Sequence, residues 1–361
     1  MATVSSVYDP IMGATSIDPK SIPAELIPKY WAQSIWSAGI KQSYFSKFMG
    51  RNSSSIIQIV TDLAKKNGDA LTIPLRLPLT GAGRTGDDKL EGFEEALQYR
   101  SFSVTLNQLR HAVLIEGRFL EKQVPIQLRK EARESNSDWL AEYLDRAWFS
   151  IFTGTEHPFI KTATDKFPFT LEAPSADRIV YPGNITAESA ITAGDIFTPQ
   201  LITKAKLKAR ENEYRCIRPV KVDGRDTYVM VIDPWQARDL KANPDWIEAQ
   251  KYANVRGEKN PIFSGSIGIW DGVVIHETER VPRTDTGDGG TIVGHALLLG
   301  AQAGVFVEGE APRYVEKEFD YDNQIGFSIS RMCGMKKARF QYDGVDWTDF
   351  GVLNVLTASV A

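Results

Sequence analysis

The chain has 361 residues, of which 42% are hydrophobic and 24% are charged, so it can bury a sizeable core and divide into two or more lobes. The formal net charge of −4 and the lack of a polybasic run argue against strong electrostatic capture of nucleic acid, although a surface that faces packed DNA is compatible with this balance. No apolar run reaches the ~18 residues of a transmembrane helix, and no basic segment followed by an apolar core indicates a signal peptide.

Residues 1–67 are predicted to form a loose N-terminal arm followed by an amphipathic helix. Residues 1–24 are rich in Ser, Pro, Ala and Thr and lack periodicity. Residues 25–49 carry aromatic and aliphatic side chains at helical spacing, among them Trp31, Trp36 and Phe45. Such an aromatic face must be covered, either by the chain's own core or by a neighbouring subunit. The sequence leaves both alternatives open.

Two extended runs predict a long, protruding β-hairpin. In residues 71–79, LTIPLRLPL, apolar side chains alternate strictly with others, which is typical of a strand with one covered face. Pro74 and Pro78 cannot donate to a ladder, so this strand is predicted to stand at an edge or clear of any central sheet. Residues 99–115 also alternate, with a bulge-like change of phase near Asn107.

The segment between these runs contains TGAGRTG, in which Gly81, Gly83 and Gly86 have the G-x-G-x-x-G spacing of a dinucleotide-binding loop. That fingerprint requires a buried, proline-free parallel strand before the glycines and a helix directly after them. Here a proline-bearing strand precedes the glycines, and the charged turn sequence DDK follows. We therefore interpret the glycines as a source of flexibility and of positive φ at the tip of the hairpin.

A long helix is predicted after the hairpin. Pro125 lies near its start, and Gly154 ends it after Phe152. Its apolar face is expected to contain Leu140, Leu144, Ala147, Trp148 and Ile151. The charged positions, including Asp138, Glu142 and Asp145, are expected to face water, with Glu142 and Arg146 paired at i, i+4.

The second half of the chain is predicted to contain a long loop region, an α/β segment and a strand-rich C-terminus. Residues 155–200 lack periodicity. Helices are predicted from residue 199, from Pro234 to Lys241 and over PDWIEAQKYANV, with a strand at TYVMVIDP. The dipeptide Asp271-Gly272 predicts a hairpin turn between two short strands. Strands are expected to dominate after residue 300.

No residue pattern points to catalysis. The four histidines do not form a zinc-binding spacing, and neither a G-x-S-x-G elbow nor a P-loop occurs. DYDNQIGF resembles the start of a calcium loop but lacks the required Gly and Glu, so it is interpreted as a surface turn. Cys216 and Cys333 are expected to be free thiols. We expect no catalytic residues, no cofactor and no metal.

Four stretches resemble the major capsid proteins of tailed bacteriophages, whose fold is shared with herpesvirus shells. They are YWAQSIWSAGIKQSYFSKFMG, GDALTIPLRLPLTGAGRTGDDKLEGFEEAL, YVMVIDPWQARDLKANPDWIEAQKYA and DYDNQIGFSISRMCGMKKARF. The order of the parts supports the same resemblance, which covers nearly the whole chain. It implies an α+β fold with an N-terminal arm, an extended hairpin loop, a long spine helix, a peripheral domain and an α/β axial domain.

The resemblance implies a role for each segment. The expected units are the N-terminal arm and helix (1–67), the extended loop (68–116), the peripheral domain with the spine helix (117–204), the axial domain (205–300) and C-terminal strands that return to the peripheral domain (301–361). The residues expected to contact neighbouring subunits are Gly81, Gly83, Arg84, Gly86 and Asp87 at the loop tip and Trp31, Trp36 and Phe45 in the arm helix.

As a function, the resemblance implies a structural protein that assembles into the pentamers and hexamers of an icosahedral shell around a double-stranded DNA genome. The implied partners are other copies of the chain, with scaffolding, portal and decoration proteins as candidates, and packaged DNA by non-specific proximity only. The implied location is the virion, with assembly in the host cytoplasm and no role for a membrane. Two alternatives remain: an encapsulin-like compartment, and a nucleotide-binding enzyme that uses GAGRTG.

Overall fold

The computed structural model describes residues 43–64, 68–115, 117, 128–158, 160, 167–211, 215–222, 224–251, 266–321 and 323–360. Its α-helices within these ranges are α1 (Leu128–Thr153), α2 (Pro199–Arg210), α3 (Pro234–Ala242) and α4 (Pro244–Lys251). Its strands there are β1 (Met49–Gly50), β2 (Ile57–Val60), β3 (Ala70–Arg76), β4 (Tyr99–Thr105), β5 (Asn107–Ile115), β6 (Ile179–Val180), β7 (Val220–Val222), β8 (Arg225–Ile232), β9 (Ser266–Trp270), β10 (Val273–Glu277), β11 (Arg283–Thr284), β12 (Val293–Leu299), β13 (Gly304–Phe319), β14 (Gln324–Lys337), β15 (Arg339–Gln341), β16 (Trp347–Asp349) and β17 (Val352–Ala358).

Two larger sheets organise the fold. A five-stranded sheet has the order β1-β2-β13-β14-β5, in which β2 runs parallel to β13, and β14 runs antiparallel to both of its neighbours. An eight-stranded mixed sheet has the order β6-β17-β12-β8-β10-β9, with β11 paired to β12 and β7 paired to β8. The helices and mixed sheets confirm the α+β fold class.

Helix α1 packs between the two sheets. One apolar cluster joins its side chains to β5, β13 and β14 and also to Val229, Val231, Leu297 and Leu299 of the eight-stranded sheet. The alternate residues Tyr228, Met230 and Leu298 point to the opposite face, where α2, α3 and α4 cover them. This two-residue alternation explains why β8 and β12 read as continuous apolar runs: both of their faces are buried.

The predicted ends of the helices follow from local chemistry. Gly154 has φ +72° and ends α1, as expected for the left-handed residue that follows a helix. Asp233 caps α3, since its carboxylate accepts from the backbone N–H of Trp235 while the side chain of Gln236 accepts from the N–H of Asp233. At the β9–β10 turn, Asp271 and Gly272 both have positive φ, which confirms the predicted hairpin.

The strands of residues 301–361 are divided between the two larger sheets, which corrects the expectation that they all return to one domain. β13 and β14 lie in the five-stranded sheet beside β5, but β17 pairs with β12 and β6 in the eight-stranded sheet. The reason is that β12 needs a partner on its second edge, and the apolar β17, buried along its whole length, supplies it.

Candidate assembly surfaces

The hairpin arm, defined here as residues 70–105, projects from the fold as a separate two-stranded sheet. β3 and β4 pair antiparallel from Ala70↔Thr105 to Arg76↔Tyr99, which confirms the predicted hairpin and its position clear of the larger sheets. β5 then begins at Asn107 and joins the five-stranded sheet, so the predicted change of phase is the point where the chain passes from one sheet to another. The extended unit predicted for 68–116 therefore divides there.

The root of the hairpin arm is packed against the rest of the chain. Phe102 and Val104 are buried in a cluster with Val305, Val307 and Phe340. Arg100 adds a hydrogen bond from its Nε to the carbonyl oxygen of Gln341 at 2.7 Å. An isolated two-stranded hairpin is marginal in water, so this packing is what holds the arm in a defined direction.

The tip segment, residues 77–98, lies in solvent. Every residue from 78 to 99 is exposed. Five large apolar side chains in or beside this segment are more than half exposed: Leu79, Leu90, Phe93, Leu97 and Tyr99. Apolar side chains concentrated on one projecting element mark an interaction surface, since a monomeric protein rarely leaves so many of them together in water.

The glycine cluster lies in this tip and does not form a nucleotide-binding loop. The backbone N–H groups of Thr80 and Gly81 donate to the carboxylate of Glu95 at 2.9 Å and 2.7 Å, and these bonds lower the pKa of Glu95. No helix follows the glycines between residues 80 and 98. The N–H groups of Thr80 and Gly81 are thus occupied, and the helix terminus that completes a phosphate site is missing from this segment.

The predicted tip residues differ in their surroundings. Gly86 has φ +65°, which confirms the expected positive φ at this position, and a Cβ added at Gly83 or Gly86 would meet no atom within 4 Å beyond the adjoining residues. The Arg84 guanidinium lies 3.8 Å from the centroid of the Phe93 ring, a cation–π contact across the tip. Asp87 is exposed in the turn that follows Gly86.

The described part of the N-terminal region corrects the expectation for Phe45. Its side chain is completely buried, with the ring centroid 4.8 Å from that of Phe149 and 5.7 Å from that of Phe152. A side chain with no exposed surface in its own subunit packs in that subunit's core, so Phe45 is not a contact residue. The segment Phe45–Phe48 is a short 3₁₀ helix. Trp31 and Trp36 lie outside the described residues.

A buried carboxylate, missed by the sequence analysis, fixes this segment in place. Asp145 has no exposed surface and accepts hydrogen bonds from Ser43 Oγ (2.6 Å) and from the backbone N–H groups of Tyr44 (2.5 Å) and Phe45 (3.1 Å). Its other partner is the Arg280 guanidinium, which follows β10. Burial raises the pKa of Asp145, while these hydrogen bonds and Arg280 oppose that shift.

The expectation that Asp145 faces water is therefore wrong. The sequence did contain a signal: Ala141, Trp148, Phe149 and Phe152 stand at i−4, i+3, i+4 and i+7 from Asp145, so helical periodicity places the carboxylate in the middle of an apolar stripe. Its partners come from two separate parts of the chain, so the carboxylate on α1 links the start of the described chain to Arg280, just after β10 of the eight-stranded sheet. The predicted Glu142–Arg146 pair is present at 2.8 Å.

The turn at DYDNQIGF and the two cysteines match their structural interpretations. Asp320, Tyr321 and Asn323 lie in the turn between β13 and β14, with Tyr321 fully exposed. Cys333 is buried and Cys216 partly buried, both as free thiols. Within the described ranges, no group of three or more His, Cys, Asp or Glu side chains is arranged to hold a metal ion. The helices among these residues are too short or too polar to cross a bilayer.

Comparison with known proteins agrees with this architecture. The profile of the family described as "Phage capsid protein" matches residues 25–361. The major capsid protein of Pseudomonas phage KPP25 is 32% identical over 359 residues, covering 91% of this chain and 94% of that protein. The capsid of Ralstonia phage GP4 superposes with a TM-score of 0.78 at 29% identity, covering 88% of this chain and 92% of that chain. The Cyanophage Pam1 capsid asymmetric unit gives a TM-score of 0.71 at 22% identity, covering 89% and 93%, which supports the fold alone.

Proposed function

The chain belongs to the phage capsid protein family, and from that premise we propose that its hairpin arm is the main contact through which copies assemble into pentamers and hexamers of an icosahedral shell around double-stranded DNA. It is a major capsid protein of a phage, a component of the virion that associates with itself to form a shell. The arrangement of copies and the contents of the shell are part of the proposal.

One observation supports the proposed role of the arm in assembly: its root is packed against the rest of the chain and its tip is exposed. Full burial of a Leu or Phe side chain is worth about 1.5–3 kcal/mol, and the tip offers several such side chains to a partner. In this reading Gly81, Gly83, Arg84, Gly86 and Asp87 contact an adjacent subunit. Trp31 and Trp36 are proposed to contact a neighbour through the N-terminal arm.

The domain assignment is proposed in a modified form. The peripheral domain would comprise α1 and the five-stranded sheet, and the axial domain would comprise the eight-stranded sheet with α2, α3 and α4. β17 then belongs to the axial domain, and the axial domain would meet its copies around the five-fold and quasi-six-fold axes. The support is that the eight-stranded sheet and α2, α3 and α4 form one apolar cluster, while α1 and the five-stranded sheet supply most of the cluster that the two units share.

The test is removal of the tip with the root preserved. Leu77 N–H donates to the carbonyl oxygen of Gln98 at 3.0 Å, so residues 78–97 can be replaced by Asn-Gly, a two-residue hairpin turn. We expect the shortened subunit to keep the circular dichroism and unfolding midpoint of the intact protein but to form no shells in electron micrographs. Shells that form at wild-type yield without the tip would refute the role of the arm.

The finer partner assignments stay proposals. Scaffolding, portal and decoration proteins are candidates, assembly is expected in the host cytoplasm, and packaged DNA is expected to lie near the wall without specific contacts. A formal charge of −4 supports the last point, because a strongly basic wall would hinder movement of packed DNA. A steep salt dependence of DNA binding by the purified subunit would count against it.

The two alternative functions have less support. The matched relatives are phage capsid proteins, so an encapsulin-like compartment is not favoured. The nucleotide-binding alternative depended on GAGRTG, whose first N–H, that of Gly81, donates to Glu95 and which no helix follows up to residue 98. The absence of catalytic activity is still a prediction, and titration of the purified protein with NAD and ATP tests the nucleotide-binding alternative.

A further inference from the structure

The exposed face of α2 combines positive charge with an apolar side chain. Lys204, Leu207 and Arg210 stand at three-residue intervals, which places them on one line along the helix surface. Leu207 is 67% exposed, and Lys204 and Arg210 are exposed on either side of it. This is the reverse of the usual arrangement, in which a solvated helix face carries no large apolar side chain at its centre.

The hydrogen bonds of Lys204 leave its charge uncompensated, whereas Asp226 and Asp271 lie close enough to Arg210 to offset its charge in part. Lys204 Nζ donates to the carbonyl oxygens of Tyr181 and Gly183 at 2.9 Å and 3.1 Å, and Arg210 Nε donates to the hydroxyl of Tyr228 at 3.4 Å. Carbonyl and hydroxyl oxygens are neutral, so these bonds orient the cations without cancelling them, and the face keeps a net positive charge. The face is suited to a partner that is both acidic and apolar.

The tip segment of the hairpin arm has that composition. Residues 77–98 contain five acidic and two basic side chains, a net charge of −3. Asp87 and Asp88 stand together in the exposed turn, while Leu90 and Phe93 are each more than 60% exposed nearby. The same chain thus carries an acidic, apolar projection and a basic, apolar helix face.

The length of the arm sets how far its tip can reach toward a second subunit. The 22 residues between β3 and β4 extend at most about 36 Å from the root, taking half of them at ~3.3 Å each. A contact between two different patches on identical chains is heterologous, and such contacts close into rings when the rotation between copies allows it. A capsid ring requires contacts of this kind.

We propose that the α2 face, Lys204, Leu207 and Arg210, is the surface on a second copy of the chain that receives the tip of the hairpin arm. Asp87 and Asp88 approach the two cations, and apolar side chains of the tip cover Leu207. The proposal rests on the proposed function of the arm as an assembly contact and identifies the receiving surface. Opposite charges would also direct the encounter between subunits.

The experiment is disulfide trapping between the two surfaces. Cys216 is replaced by Ser, and the chain then carries Asp88→Cys and Leu207→Cys, both at exposed positions; Cys333 is buried. The matched control carries Asp88→Cys and Ile247→Cys, with the second cysteine on the neighbouring helix α4 at a 42% exposed position. Each sample is oxidised mildly, run on a non-reducing gel and imaged by electron microscopy.

We expect a ladder of covalent oligomers for the first protein, at least tenfold stronger than for the control. Shells without this ladder overturn the proposal and leave the proposed function intact. A ladder without shells supports the receiving surface and counts against shell formation by the chain alone. A sample that shows neither the ladder nor shells overturns both the receiving surface and the proposed function.

Charge reversal tests the electrostatic basis independently. In the trapping protein, Asp87→Lys on the tip and Lys204→Glu with Arg210→Glu on α2 should each lower the ladder at least fivefold, and their combination should restore it to within about twofold. Arg313→Glu with Lys317→Glu, two exposed cations on β13, is the matched control and should change nothing. Reversals that leave the ladder at full strength would refute the charge complementarity.

Discussion

Replacing Phe45 by Ala tests whether the aromatic segment before β1 stabilises its own subunit. The ring is completely buried, and the ring centroids of Tyr44, Phe149 and Phe152 lie within 6 Å of it. Removal of a buried Phe ring costs about 3–5 kcal/mol, since both the transfer free energy and the contacts around the resulting cavity are lost. We expect Phe45→Ala to lower the free energy of unfolding of the isolated subunit by that amount.

The assay is urea unfolding of dilute subunits, followed by tryptophan fluorescence. Trp148, whose ring centroid is 6.5 Å from that of Phe45, reports on this region directly. The matched control is Phe93→Ala at the tip of the arm, where the side chain is 62% exposed and the expected change is below about 1 kcal/mol. If Phe45→Ala instead costs less than about 1 kcal/mol and blocks shell formation, the ring acts at a neighbour and the argument from burial is wrong.

Three further substitutions test the interior. Burial, with two nearby arginines, lowers the pKa of His157 from 6.5 to about 4, so the unfolded state binds the proton first as the pH falls. The free energy of unfolding should therefore fall by about 2 kcal/mol between pH 7 and pH 5. In urea titrations at both pH values, His157→Gln should remove that fall. Gly154→Ala should lower the melting temperature far more than Gly183→Ala, because both have positive φ but only at 154 would the Cβ meet a backbone oxygen, at 2.6 Å. Asp349→Ala should cost about 3–5 kcal/mol in urea titration, because it leaves the buried Lys337 ammonium, 3.3 Å away, without its counter-charge.

Periodic patterns allowed the local elements to be predicted from the sequence. The alternation in 71–79 is present in β3, where Leu71, Ile73 and Leu75 are half-buried and the residues between them are exposed. The span of α1 followed from its apolar stripe and from the glycine that ends it. These features depend on neighbours within a few residues, so a single sequence specifies them.

The unpredicted features depend on contacts distant in the sequence. The pairing of β17 with β12 joins residues about 60 positions apart, and no local pattern distinguishes that edge from the edge of the other sheet. The role of Asp145 depends on Ser43 and Arg280, more than 100 residues away on either side. The exposure of Leu207 on α2 depends on which face of the helix the eight-stranded sheet covers. Contacts between distant residues need the fold before they can be assigned.

The hairpin arm has a buried root and an exposed tip, which allows the subunit to be stable alone and still to assemble. The buried root, Phe102 and Val104, fixes the direction of the arm before any partner is present. The tip has few ladder bonds, and the bonds from Thr80 and Gly81 to Glu95 hold its shape. Covering the five exposed apolar side chains, which are already ~40% shielded, would contribute roughly 5–9 kcal/mol before the costs of association. A single contact of that strength is weak enough to be reversible, so a misplaced subunit can leave, whereas a closed shell combines many such contacts and becomes stable as a whole.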